Sequence, residues 1–206
     1  MDERFSRYDV YTTVGSIYCY QNTRVLKNRF GIRDADTLKE TEIELYTLRQ
    51  NVLLIHPIKG KFTPNHLRMI HKYLFGDVYF FAGHYRREDI LKGKTRFLNY
   101  QKIEETTKNL LSSLRQENYL TDIDFDRFIE RAAYYMAELN YIHPFREGNG
   151  RTTREFMRTL FLLSGYQVNW GRFDREQLLN AMELSIYDYS HLIPLLGQCL
   201  TMQQKE

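Results

Sequence analysis

The chain has 206 residues, enough for one domain that buries roughly 70% of its unfolded surface. An aromatic content of 15%, including 16 Tyr, argues against disorder. A net charge of +3, from 29 basic and 26 acidic residues, gives no electrostatic case for nucleic acid or an anionic membrane as partner. Met1-Asp2-Glu3-Arg4 opens a charged N-terminus without the apolar core of a secretory signal, and no run approaches ~18 apolar residues. Cys19 and Cys199 form no metal or redox spacing, so reduced thiols in a cytoplasmic protein are expected.

Along the chain the periodicity is helical almost throughout, and the fold class expected is mainly α. Thr37-Leu-Lys-Glu40 is a capping-box pattern that opens a helix to about Arg49. Thr63-Pro64 reads as an N-cap with Pro at the first helical position, and behind it Leu67, Ile70, Leu74 and Phe75 share a face. Ile90, Leu91, Lys92, Gly93, Lys94, Thr95, Arg96, Phe97 and Leu98 break the pattern with short β-favouring runs about a glycine, which predicts a hairpin. Asn99 caps a helix with Ile103, Leu110, Leu111 and Leu114 as its stripe. Asp124 opens another, with Phe125, Phe128, Ile129, Ala132, Met136 and Leu139 inward, stopped by Pro144. A helix from Thr152 to Leu163 ends near Gly165. Asp174 starts a further helix with Leu178 and Met182, and a last one carries Leu192, Leu195, Leu196 and Leu200.

The chemistry is concentrated between His143 and Arg154, His-Pro-Phe-Arg-Glu-Gly-Asn-Gly-Arg-Thr-Thr-Arg. His143 is a candidate general base and Glu147 a candidate ligand for a hard cation such as Mg2+. Gly148, Asn149, Gly150 and Arg151 are predicted to form a turn feeding a helix N-terminus, where backbone N–H groups and the helix dipole attract anions. Glycines let a phosphate come close, and Arg151 and Arg154, three apart, can grip it from one helix face. Base, metal ligand, anion cradle and arginine clamp together point to transfer of a phosphorus group from a nucleotide.

The same stretch resembles the Fic family motif, His-x-Phe-x-(Asp or Glu)-Gly-Asn-Gly-(Lys or Arg)-x-x-Arg, at every fixed position. Leu74-Phe75-Gly76-Asp77-Val78-Tyr79, Phe81-Ala82-Gly83 with Arg86, and Asn28-Arg29-Phe30-Gly31-Ile32 extend the resemblance over roughly residues 18 to 200. It implies a single Fic domain over residues 1–206 with a short N-terminal extension of about 1–30, built as a Fic-type helical bundle with a hairpin flap. It also implies protein adenylyltransfer, in which AMP passes from ATP to a Tyr, Ser or Thr hydroxyl of a target protein. His143 would accept the hydroxyl proton and Glu147 would bind Mg2+. Gly148, Asn149 and Gly150 would give N–H groups and an amide to the phosphates, while Arg151 and Arg154 held the β- and γ-phosphates. Phe145 would anchor the loop, with no role for Arg146 or Thr152. In the family, the segment matching Ile90–Leu98 receives a strand of the target by β-addition.

The Doc branch, which transfers the γ-phosphate, has Ala and Lys in place of the two glycines, so Gly148 and Gly150 match the AMP-transferring pattern. UTP and CDP-choline users share the motif, and a nucleotide-sensing module is the non-enzymatic alternative. Family members are commonly restrained by a helix bearing (Ser or Thr)-x-x-x-Glu-(Gly or Asn), whose Glu meets the second motif arginine, here Arg154. Ser113-Leu-Arg-Gln-Glu117-Asn118 matches literally but is read as accidental, while Thr201-Met-Gln-Gln-Lys205-Glu206 has Lys at the Glu position. The resulting expectation is a bacterial toxin silenced by a small separate antitoxin that carries the Glu, with a secreted effector as the alternative.

Overall fold

A computed structural model describes residues 15–92 and 95–203. Gly93 and Lys94 of the expected hairpin, the first fourteen residues and Lys205-Glu206 lie outside these. Seven α-helices build the described part. They are α1 (Ala35–Ile55), α2 (Pro64–Phe75), α3 (Ile103–Gln116), α4 (Phe125–Ile142), α5 (Asn149–Leu163), α6 (Arg175–Leu184) and α7 (Ile193–Cys199). Two short antiparallel ladders accompany them, β1 (Leu91–Lys92) with β2 (Thr95–Arg96), and β3 (Tyr166–Val168) with β4 (Leu200–Met202). The fold is mainly helical, as expected, with the hairpin where the sequence put it. Among the described residues no helix is long and apolar enough to cross a membrane.

The helix at the centre is α5. Phe156, Met157, Leu160 and Phe161 are 0% exposed, and α2 and α4 flank it. Its neighbour α4 begins where the Asp124 carboxylate accepts the Arg127 N–H at 2.9 Å. Phe128, Ala132, Met136 and Leu139 then turn inward, as their 3–4 spacing requires, whereas Phe125 in the first turn is 37% exposed against the sequence expectation. In α2, Thr63 accepts the His66 N–H at 3.3 Å and Pro64 sits where no donor is needed.

Three boundaries differ from the sequence reading, each for a local reason. Asp34, not Thr37, caps α1, and takes the Thr37 N–H at 2.9 Å, so the helix starts earlier and runs on to Ile55. The helix expected from Thr152 begins at Asn149, because Gly148 enters the left-handed region at φ 77° and its carbonyl meets the Thr152 N–H at 3.0 Å. The last predicted helix splits into a 3₁₀ turn (Tyr189–Leu192) and α7, and Leu200 passes into β4, opposite Val168. Gly165, at φ 83°, closes α5 as predicted.

Residues 15–33 pack on the loop after α2. Arg29 donates its backbone N–H to the Val78 carbonyl at 2.8 Å and its Nε to that of Gly76 at 2.7 Å, and the Tyr18 and Phe81 rings meet edge to face. Both cysteines are buried thiols, and burial pushes Cys199 up to about 12.

Candidate active site

His143 terminates α4. Its backbone sits in the left-handed region at φ 45°, ψ 60°, with Pro144 behind it, so the chain leaves the helix sharply. The imidazole is held on two sides. Its face lies on the Phe97 ring at 3.7 Å between centroids, and Nδ1 is 3.1 Å from the Asn140 carbonyl oxygen. A carbonyl only accepts, so this bond requires the proton on Nδ1. In the neutral ring Nε2 then carries the lone pair, the form a general base needs.

The loop from Pro144 to Gly148 is clamped from within. Phe145 is fully buried, and the His71 ring stacks on it at 3.8 Å with 7° between planes. Asn149 accepts the Phe145 N–H and donates to the Phe145 carbonyl, both at 2.8 Å. The Asn149 amide expected at the phosphates is therefore engaged at both ends in closing this loop. His71 supplies the second brace. Its Nδ1 accepts the Gly83 N–H at 2.7 Å, so its proton resides on Nε2, which donates to the Glu147 carbonyl at 2.9 Å. Burial lowers His71 to about 3, and it stays neutral in this role.

Gly148 has a reason beyond its φ of 77°. A Cβ there would lie 2.4 Å from the Phe75 ring, so only glycine lets the loop pass. The Glu147 side chain turns toward the start of α5, where Oε1 accepts the Gly148 N–H at 2.8 Å and lies 3.4 Å from Arg151. The first turn of α5 leaves the N–H groups of Asn149, Gly150 and Arg151 without an intrahelical carbonyl, which makes an anion cradle. A Cβ on Gly150 would touch Nη1 of Arg154 at 3.5 Å, so that guanidinium lies over the first turn.

Arg151 and Arg154 share the face expected, but their surroundings were not legible. Arg151 is 2.7 Å from the Glu42 carboxylate of α1 and lies over the Phe75 and Tyr46 rings at 4.6 and 4.9 Å. Burial opposes its charge, yet Glu42 and Glu147 outweigh that and raise its pKa. Glu42 is 1% exposed and also accepts the Tyr79 hydroxyl. Tyr46 meets both arginines, and burial raises its phenol while they pull the other way. Sequence reasoning missed Glu42, Tyr46, His71 and Tyr79. Glu42 had a signal, since it is charged yet falls on the stripe of Leu38, Tyr46 and Leu53 that α1 buries.

The hairpin pairs Leu91 with Arg96 and Lys92 with Thr95 beside this site. Ile90 and Phe97 are buried together, and the Leu98 N–H donates to the Tyr141 carbonyl of α4 at 3.1 Å. Arg146, to which the sequence assigned no role, is buried with its Nε 3.1 Å from Glu88, a carboxylate that also accepts the Ser16 hydroxyl at 2.6 Å. Among the described residues no group of three or more His, Cys, Asp or Glu is gathered to cage a metal ion. Glu147 alone at the edge of an anion cradle suits Mg2+, which takes one carboxylate and fills its shell with phosphate oxygens and water.

Residues 61–161 match the Fic/DOC family. The probable protein adenylyltransferase Fic of Escherichia coli K12 is 34% identical over 159 residues, 77% of this chain and 78% of that protein. The chain belongs to the Fic/DOC family. Protein adenylyltransferase VbhT of Bartonella schoenbuchensis is 41% identical over 179 residues, which are 87% of this chain but 37% of that longer relative. Among solved structures, the Bartonella tribocorum effector BepC with bound AMPPNP superposes with a TM-score of 0.84 at 26% identity, over 91% of this chain and 97% of that one. A Fic domain from Bartonella quintana with bound ADP gives 0.84 at 26% identity, over 91% and 95%.

Proposed function

We propose that this Fic domain is a nucleotidyltransferase that moves AMP from ATP onto a hydroxyl of a target protein. The observation that carries the reading is His143, whose Nδ1 is committed to the Asn140 carbonyl, on the loop that leads into the N-terminus of α5. The relatives at 34–41% identity are named protein adenylyltransferase or probable protein adenylyltransferase, and two structural neighbours hold AMPPNP and ADP.

The ATP phosphates bind at the first turn of α5, where the N–H groups of Gly150 and Arg151 and the Arg151 and Arg154 guanidiniums offset their charge. Asn149 contributes through the loop it closes on Phe145. The target hydroxyl lies along the hairpin edge between Ile90 and Leu98. Its oxygen attacks the α-phosphorus, its proton passes to Nε2 of His143, and the bond from the α-phosphorus to the β-bridging oxygen breaks to release pyrophosphate. Glu147 would hold Mg2+, and a bound ion would neutralise part of the phosphate charge.

We read the restraint on this activity as external, from a small antitoxin whose Glu reaches Arg154. Glu117, in the literal inhibitory match, supports this because it is taken up by Arg131 and Tyr135. Incubation with a bacterial lysate and ATP labelled at the α- or γ-phosphate tests the reading. Protein label from the α-position alone is expected. Label from the γ-position would make the chain a phosphotransferase, and no label would make it a sensor.

A further inference from the structure

Arg86 is the largest fully buried side chain among the described residues, with 0% of its side chain exposed, and the mechanism above does not use it. Burying a guanidinium is costly unless its donors are satisfied. Here they are satisfied by carbonyls from two separate elements. Nε donates to the His143 carbonyl at 2.8 Å, and Nη2 reaches the Ile142 carbonyl at 3.3 Å. Nη1 donates to the Glu88 carbonyl at 2.8 Å, and Nη2 also donates to that of Leu98. The Arg86 backbone N–H adds a bond to the Pro144 carbonyl at 2.9 Å. One side chain thus ties the C-terminus of α4 and the first turn of the motif loop to both ends of the hairpin. The carboxylate of Asp89, at 3.7 Å, is a longer ionic contact. The negative end of the α4 dipole lies where a cation is favoured.

Resting on the transfer reading above, we infer that Arg86 is a positioning residue that sets the register between the target-binding hairpin and the His143 base. The acceptor hydroxyl is carried by the hairpin and the base by α4, so their separation is fixed only as well as these two elements are fixed to each other. Arg86 also holds the carbonyl of a residue kept at φ 45°, which non-glycine residues disfavour. A Phe97 ring stacked on His143 and the Leu98 N–H on the Tyr141 carbonyl reinforce the same junction from the hairpin side.

The test compares Arg86→Lys with the wild-type protein. Lysine keeps the charge but cannot span four carbonyls. Amide exchange in the nucleotide-free protein is expected to rise about tenfold or more at Leu98 and His143 together, about 1.4 kcal/mol of lost protection. ADP affinity should stay within about twofold, and AMP transfer into lysate protein should fall about 100-fold, the scale expected of a misplacement near 1 Å. Exchange that rises at Leu98 alone, or unchanged transfer in a folded variant, would overturn the inference. Should the variant fail to fold, native-state exchange on the wild type decides. One coupled unit requires equal opening free energies and denaturant slopes at Leu98 and His143, and unequal ones refute it. Exchange needs neither nucleotide nor target. A wild type that moved no label would therefore count against the transfer reading and leave the coupling to be judged by exchange.

Discussion

The Glu42 carboxylate meets the Arg151 guanidinium at 2.7 Å, with side chains 1% and 11% exposed. An arginine expected to grip phosphate is thus already oriented by a buried carboxylate and two aromatic faces. Its planar fork can keep Glu42 on one edge and turn others to a phosphate. Glu42→Gln keeps the shape and removes the charge. It should lower the melting temperature by about 3–12 °C, from about 1.5–3 kcal/mol per charged hydrogen bond and roughly 2–4 °C per kcal/mol. ADP affinity, measured by calorimetry, should weaken about tenfold as Arg151 loses its fixed orientation. Tighter ADP binding would show instead that Glu42 competes with phosphate for Arg151.

His143→Ala should lower AMP transfer about 100- to 10,000-fold, the usual contribution of a general base. The substitution removes a ring from Phe97 but leaves the Arg86 and Leu139 bonds of the His143 backbone, so folding should survive. ADP affinity should change little, because the phosphate cradle belongs to α5. Turnover near the wild-type rate in a folded variant would take His143 out of the mechanism.

The two glycines of the motif serve different ends, and substitution should separate them. Gly148→Ala puts a Cβ 2.4 Å from the Phe75 ring at φ 77°. Left-handed strain of about 1–2 kcal/mol and overpacking of about 1–3 kcal/mol should both appear as lost stability. Gly150 has ordinary backbone, and its Cβ would meet only Arg154 Nη1 at 3.5 Å. Gly150→Ala should therefore melt at or slightly above the wild-type temperature while weakening ADP binding a few-fold. Thermal melts and calorimetry on the pair check this. Equal melting temperatures would mean that Phe75 yields to the new methyl.

What the sequence disclosed follows from range. Thr63-Pro64, Asp124 and Gly165 act on backbone within a turn of themselves, so their signals are local and the helices fell where expected. The motif is also local, and its stretch from Glu147 to Arg154 gathers at the start of α5. The supporting set is not. His71 reaches Glu147 across 76 positions and Arg86 reaches His143 across 57, and their partners are carbonyls, which every residue carries. No residue type or spacing could announce such bonds. The pairing of β3 with β4, three residues each and far apart in the chain, escaped for the same reason. The capping-box pattern at Thr37 pointed to a start three residues late, because Asp34 takes the Thr37 N–H and caps the helix instead.

Glu117 provides the last test. It accepts both Arg131 donors, at 2.7 and 2.6 Å, and the Tyr135 hydroxyl at 2.7 Å. The next turn places the Tyr119 carbonyl 3.2 Å from Ser164, ten residues beyond Arg154 and thus about 15 Å along α5. Arg131 holds the Glu117 carboxyl below the usual carboxylate range. A depressed carboxylate stabilises the fold above its unfolded value, about 4.3, and that stability is lost as pH falls through the lower folded value. Glu117→Gln should therefore cost on the order of 1–2 kcal/mol at pH 7, discounted for partial exposure, with the gap to wild type closing below about pH 4. In Glu117→Gly the AMP transfer per folded molecule should equal the wild type, because the carboxylate belongs to α4 and not to Arg154. A large gain of transfer in a stably folded Glu117→Gly protein would make the restraint internal and sink the two-chain model. Unchanged transfer, suppressed by a co-expressed small protein carrying the Ser/Thr-x-x-x-Glu motif, would support the proposed two-chain restraint.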